Sequence, residues 1–121
     1  MTVSPTPPAF VPLADAASLD AAFTDPCAVV FKHSTTCTLS AMAYDEVRRY
    51  LVRPDALPVR LLDLLAHRAL SDAVEARSRI RHESPQVLLL VNGTVAWHAS
   101  HRGVTADAIA AAIALAGRTA G

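Results

Sequence analysis

The chain is nearly without lysine: Lys32 is the only one, against ten arginines. Eleven basic residues balance eleven acidic ones, so there is no net field to draw in nucleic acid or an anionic lipid surface. No basic stripe with interleaved aromatics is present. Only two cysteines occur in 121 residues, which excludes a disulfide framework and leaves no cysteine set for a metal. Four glycines are scattered, and none builds a phosphate-cradling loop. The longest apolar run, AIAAAIALAG near the C-terminus, is too short and too alanine-rich to span a bilayer. The N-terminal MTVSPTPPAF has no basic region followed by an apolar one, so no secretory signal is read there and a cytoplasmic protein is expected.

What is present is a core. Hydrophobic residues make up 52% and charged residues 18%, the balance of one globular domain over 1–121. The prolines before Pro12 predict a flexible arm over 1–12. SLDAAFTD reads as a short helix capped by Ser18. CAVVFKH, Cys27 to His33, reads as a buried strand, where Cys27 is expected as a small buried apolar residue. Apolar positions at Leu39, Met42, Ala43, Val47, Tyr50 and Leu51 have helical spacing, with Thr35 or Thr36 as the cap. A strand from Pro58 follows, then a helix from Leu70 capped by Ser71, with Asp72 and Glu75 in its first turn. SPQVLLLV is a third strand. Asn92–Gly93 is a hairpin turn into TVAWHAS, and Thr105 opens a last helix. The order (α)-β-α-β-α-β-β-α, with right-handed crossovers, predicts a thioredoxin-like α/β fold: a four-stranded mixed sheet flanked by helices.

Two places carry chemistry. Cys37 falls at the first turn of its helix, where free amides and the helix dipole favour thiolate over thiol. Thr36, Ser40 and Lys32 are the candidate surroundings of that thiolate. Lys32 is either a neighbouring ammonium that lowers the thiol pKa or an ordinary solvated side chain. His33 points opposite Lys32 by strand alternation, and a structural role is expected for it. The second place is Ser84–Pro85, which opens a strand. Pro85 is expected to be cis and to face Cys37, the alternative being a trans proline that merely starts the strand. The backbone of Ser84 would then pair with an extended substrate. Cys27 begins the strand that leads to Cys37, roughly 20 Å away at ~3.3 Å per residue, too far for a disulfide. His98 and His101 lack the partners of a metal site, and Ser40 lacks a base.

The blocks FKHSTTCTLSAMA and HESPQVLLLVNGTVAWHASH resemble the YtxJ-like monothiol bacilliredoxins, thioredoxin-fold proteins of the bacillithiol system. The resemblance runs from about Cys27 to Thr105. It implies a thiol-disulfide oxidoreductase, with no bound cofactor, that removes bacillithiol from S-bacillithiolated client proteins. Bacillithiol is then a co-substrate, and bacillithiol or a partner redoxin regenerates the enzyme. The resemblance makes Cys37 the nucleophile, Ser40 the non-resolving position and Pro85 the substrate-facing proline. Thr35, Thr38 and Ser84 join Pro85 as expected substrate contacts. Two positions depart from the family pattern: Thr38 stands where proline is common, and Arg102–Gly103 where an aromatic residue is expected. Two other readings stay open at this level, a non-catalytic thioredoxin-like binding module and a glutaredoxin-like protein using another low-molecular-weight thiol. CTLS does not match the CGFS-type motif of an iron–sulfur-bridging glutaredoxin.

Overall fold

The computed structural model describes residues 10–120, with side chains through Gly117. Most of the arm expected over 1–12 therefore lies outside the described residues. Its last three residues do not fit that expectation: Phe10–Pro12 form a short strand, β1, paired in parallel with β3 (Val59–Asp63). Phe10 explains the docking, because its ring stacks on Tyr44 at 4.9 Å and lies 6.5 Å from that of Phe31. The sheet accordingly has five strands among the described residues, in the order β1-β3-β2-β4-β5.

The other strands are β2 (Cys27–His33), β4 (Gln86–Val91) and β5 (Thr94–Ser100). β2 runs parallel to β3 and antiparallel to β4, so β2 sits at the centre. Central position explains its composition: Ala28 to Lys32 are all buried, as expected of a strand covered on both faces. β5 is one of the two edge strands, and its exposure alternates along the chain. The hairpin between β4 and β5 turns on Asn92 and Gly93, with φ of 51° and 79°. Both signs are positive, as a type I′ turn requires.

Four helices cover the sheet: α1 (Ala16–Thr24), α2 (Thr38–Leu51), α3 (Arg68–Ser78) and α4 (Ala106–Ala120). Alternation along β2 divides the core. Val29 and Phe31 pack with Val47 and Tyr50 of α2 and Ile109 of α4. Ala28 and Val30 pack with Leu19 and Phe23 of α1 and Val74 of α3. Fully burying one such side chain stabilises by about 1.5–3 kcal/mol.

Three helix starts differ from the sequence reading. Asp15 caps α1 and Ser18 sits at its third position, the two forming a reciprocal capping box with Ser18 N–H to Asp15 Oδ1 at 2.8 Å. α3 starts at Arg68, and Ser71 is buried inside it rather than capping it. α2 is capped by neither Thr35 nor Thr36; its N-cap is Cys37. The cap at Thr105 is as expected, its hydroxyl accepting the Ala108 N–H at 3.1 Å.

Candidate active site

Helix α2 begins where its capping residue needs a side chain that accepts amide protons, and the residue at that position is a cysteine. Cys37 has extended backbone angles, φ −105° and ψ 127°, and the residue is half-buried. The turn before the helix is closed by the Cys37 N–H donating to the Ser34 carbonyl at 3.3 Å. The Ser34 and Thr36 hydroxyls are linked at 3.2 Å. Ser40, one turn into α2, is completely buried. Its Oγ accepts the Ser34 N–H at 3.2 Å, which leaves its own proton free to be donated.

Among the described residues the Cys37 side chain makes no cap hydrogen bond. The surrounding donors nonetheless lower its pKa: the Ser40 amide first, then the Leu39 amide and the Ser40 hydroxyl, with partial burial opposing them. These donors belong to the helix start itself. A thiolate there takes the place of the oxygen that a serine or aspartate would offer at an N-cap.

Lys32 does not join this set, nor is it the solvated side chain of the alternative reading. Strand alternation turns it to the other face, with Ala28 and Val30, while α2 lies over the face carrying Val29 and Phe31. Lys32 is fully buried, its Nζ lies 3.1 Å from His82 Nδ1, and the charges nearest it are Glu75 and Asp72 of α3. His33 is on the α2 face, its ring 5.5 Å from Phe31 and 5.0 Å from Tyr44. Burial holds its pKa down, as suits a packing residue.

The Ser84–Pro85 bond is cis. The last pair between β2 and β4 is Lys32 with Gln86, so one residue further places Pro85 beside His33, at the end of the sheet where β2 feeds the Cys37 turn. The Pro85 carbonyl accepts the His101 N–H at 2.9 Å. That bond ties the proline to the 3-10 turn His101–Gly103, the segment where an aromatic residue was expected. Thr35, Thr36 and Thr38 are exposed around the sulfur, whereas Ser84 is half-buried and its Oγ has no hydrogen-bond partner among the described residues.

Cys27 differs from expectation in one respect: it is exposed, not buried. It opens β2 opposite Val91, at the far end of a seven-residue strand from the Cys37 turn. At ~3.3 Å per residue the separation is far outside disulfide reach. No cluster of metal-ligating side chains occurs among the described residues. No helix among them is long and apolar enough to cross a membrane.

Ser34, Ser71, His82 and Arg68 were not among the expected site residues, yet all four lie at this end of the molecule. Ser34 and His82 stand inside the two blocks singled out above, but a serine or histidine carries no spacing signal of its own.

Two clefts adjoin the site. One, of about 510 Å³, runs from Leu39 and Met42 along α2 to His101, Arg102 and Thr105. The other, of about 320 Å³, lies between α3 and the proline turn and is lined by Ser34, Arg68, Ser71, Asp72, His82 and Ser84.

Known proteins place this arrangement. A solved thioredoxin-fold protein, suggested to be an oxidoreductase, is 30% identical; the match covers 86% of this chain and 93% of that one, with a TM-score of 0.79. A mutant thioredoxin from Halobacterium salinarum NRC-1 is 16% identical over 88% of this chain and 89% of its own, with a TM-score of 0.67. Thioredoxin from Trypanosoma brucei brucei is 9% identical over 98% of both chains, again with a TM-score of 0.67. The latter two show the fold alone, and the fold is thioredoxin-like. A sequence model of the family described as monothiol bacilliredoxin BrxC matches residues 12–109. The chain belongs to the monothiol bacilliredoxin BrxC family, and its function is thiol redox chemistry.

Proposed function

We propose that the protein removes bacillithiol from S-bacillithiolated proteins through a mixed disulfide on Cys37. The observation that carries this reading is the position of that residue: half-exposed at a helix N-cap, with its pKa lowered by the Ser40 and Leu39 amides, and with a serine where a resolving thiol would stand.

The chemistry follows in two exchanges. The Cys37 thiolate attacks the bacillithiol sulfur of the client disulfide. One S–S bond breaks and one forms, so the client leaves as a thiolate and takes up a proton, while bacillithiol stays on Cys37. Ser40 has no sulfur to expel it, and Cys27 stands at the other end of β2. A second thiol, free bacillithiol or a partner redoxin, must therefore attack the mixed disulfide and return Cys37 as thiolate. The Ser40 hydroxyl and the two amides favour that leaving group in the second exchange for the same reason that they favour the nucleophile in the first.

The test offers the purified chain a bacillithiolated client and follows intact masses. The adduct is expected to move to Cys37; Cys37→Ser abolishes the transfer and Cys27→Ser leaves it intact. A transfer equally fast from a glutathionylated client would overturn the bacillithiol preference, and transfer surviving in Cys37→Ser would overturn the whole mechanism.

A further inference from the structure

We propose that the cleft of about 320 Å³ between α3 and the cis-proline turn is a subsite for a carboxylate-bearing part of the low-molecular-weight thiol, with Arg68 as the residue that selects it. The inference rests on the mixed-disulfide reading above and assigns a place to the small thiol's non-reacting end.

Location is the first argument. The cleft is bounded by Ser34, whose carbonyl accepts the Cys37 N–H, and by Ser84, which precedes the cis proline. Ser34 stands three residues before the sulfur in the same turn, and Ser84 precedes the proline that falls beside His33, where β2 feeds that turn. The volume suits part of a small molecule, at the low end for ligand pockets.

Chemistry is the second. Arg68 is exposed at the first position of α3 and forms no salt bridge among the described residues. It presents a planar fork of donors suited to a carboxylate. Ser84 lines the same cleft, and its buried hydroxyl has no hydrogen-bond partner among the described residues. In the lining itself, His82 Nδ1 meets the Ser71 hydroxyl at 3.2 Å and the ammonium of the buried Lys32 at 3.1 Å. Lys32 thus adds positive potential from the buried side. Of the two acids on this face, Glu75 is committed to the His82 N–H at 2.7 Å, and only Asp72 lines the cleft.

The larger cleft is a poorer match for an anion. Asp45 and Glu46 both line it, and Glu46 already occupies the start of α4 by accepting the Ala106 N–H at 3.0 Å.

The test compares two disulfides in single-turnover reactions that form the Cys37 adduct. One is dithiodiglycolate, which carries carboxylates; the other is 2-hydroxyethyl disulfide, which is neutral. Each rate is divided by that of a free small thiol with the same reagent, and oxidised bacillithiol is run in parallel. The wild-type chain is expected to prefer the carboxylate reagent. Arg68→Ala is expected to lower that preference roughly fivefold to tenfold, the scale of one charge-assisted contact at a partly exposed site. Arg68→Lys restores part of it, and Asp72→Asn raises it. An unchanged ratio in Arg68→Ala, or no wild-type preference, overturns the subsite. A wild-type chain that prefers dithiodiglycolate but ignores bacillithiol keeps the subsite and overturns the proposed co-substrate. Uptake of bacillithiol unaffected by Arg68→Ala does the reverse.

Discussion

At the scale of single residues, the chemistry depends on which atom terminates a helix. An N-cap side chain normally supplies oxygen to the amides of the first turn. Cys37 supplies sulfur, and the amides of Leu39 and Ser40 then favour its ionised form. Alkylation of Cys37 followed against pH is therefore expected to have its midpoint below the free-cysteine value of about 8.5. Ser40→Ala should move that midpoint up. It removes one donor to the sulfur and also strands the Ser34 N–H, at a stability cost of about 1 kcal/mol. Cys27 serves as the internal comparison, because desolvation pushes its thiol pKa up. Mass-resolved alkylation reads both sites at once. A Cys37 midpoint at or above that of Cys27 would refute the role assigned to the helix start.

Elements show where local pattern was enough. The Asn92–Gly93 turn was legible because only two residues separate two strands, and few residues tolerate the backbone angles required there. The structure adds a second constraint at Gly93. A Cβ built there would lie 2.5 Å from the Phe23 carbonyl oxygen, so the glycine also makes room for the end of α1. Gly93→Ala should lower stability by about 2–3 kcal/mol in urea unfolding, combining the strained φ with the clash. Asn92→Ala meets only the backbone term and should cost about 1–2 kcal/mol. Equal losses would mean that the close approach to Phe23 contributes nothing. Helix starts were less legible. Asp15 and Ser18 both suit a cap, and only the reciprocal hydrogen bonds of the box assign Asp15 to the cap and Ser18 to the third position. Ser71 illustrates the same ambiguity: its hydroxyl faces His82 inside α3 and caps nothing.

Across the whole molecule, the single lysine is a buried charge in the α1–α3 layer. Burial lowers the Lys32 pKa to about 8, although Glu75 and Asp72 pull it upward. In the unfolded chain the ammonium titrates near the free value of about 10.4. Between those two values the unfolded state holds more protons, so stability rises with pH across that window. Below about pH 8 both states are protonated, and the folded state carries the full cost of the buried charge. Lys32→Met should flatten the rise and leave the protein at least as stable near pH 7, because removing a buried charge together with its desolvation cost is often neutral or favourable. The measurement is the urea midpoint between about pH 7 and 10, taken in a Cys37→Ser background. That background matters because the lowered thiol pKa of Cys37 also makes stability rise with pH: its contribution is present above the unfolded thiol value and is lost as pH falls through the folded one. A Lys32→Met profile as steep as the parent's would remove Lys32 as its source.

Hydrophobic period, turn chemistry and the order of strands and helices were all in the sequence, since each is set by residues near one another along the chain. They determined a thioredoxin-like α/β domain with a cysteine at the start of its second helix and a proline opening the third of the four strands read there. Docking of Phe10–Pro12 onto β3, and with it the fifth strand, was beyond local pattern, because the stabilising contacts come from Phe31 and Tyr44, distant in sequence. The surroundings of the sulfur were likewise a tertiary outcome. Lys32 is five residues from Cys37, yet the pleat of β2 turns it into the opposite layer, and the thiolate is served instead by the peptide amides that any helix start leaves unpaired.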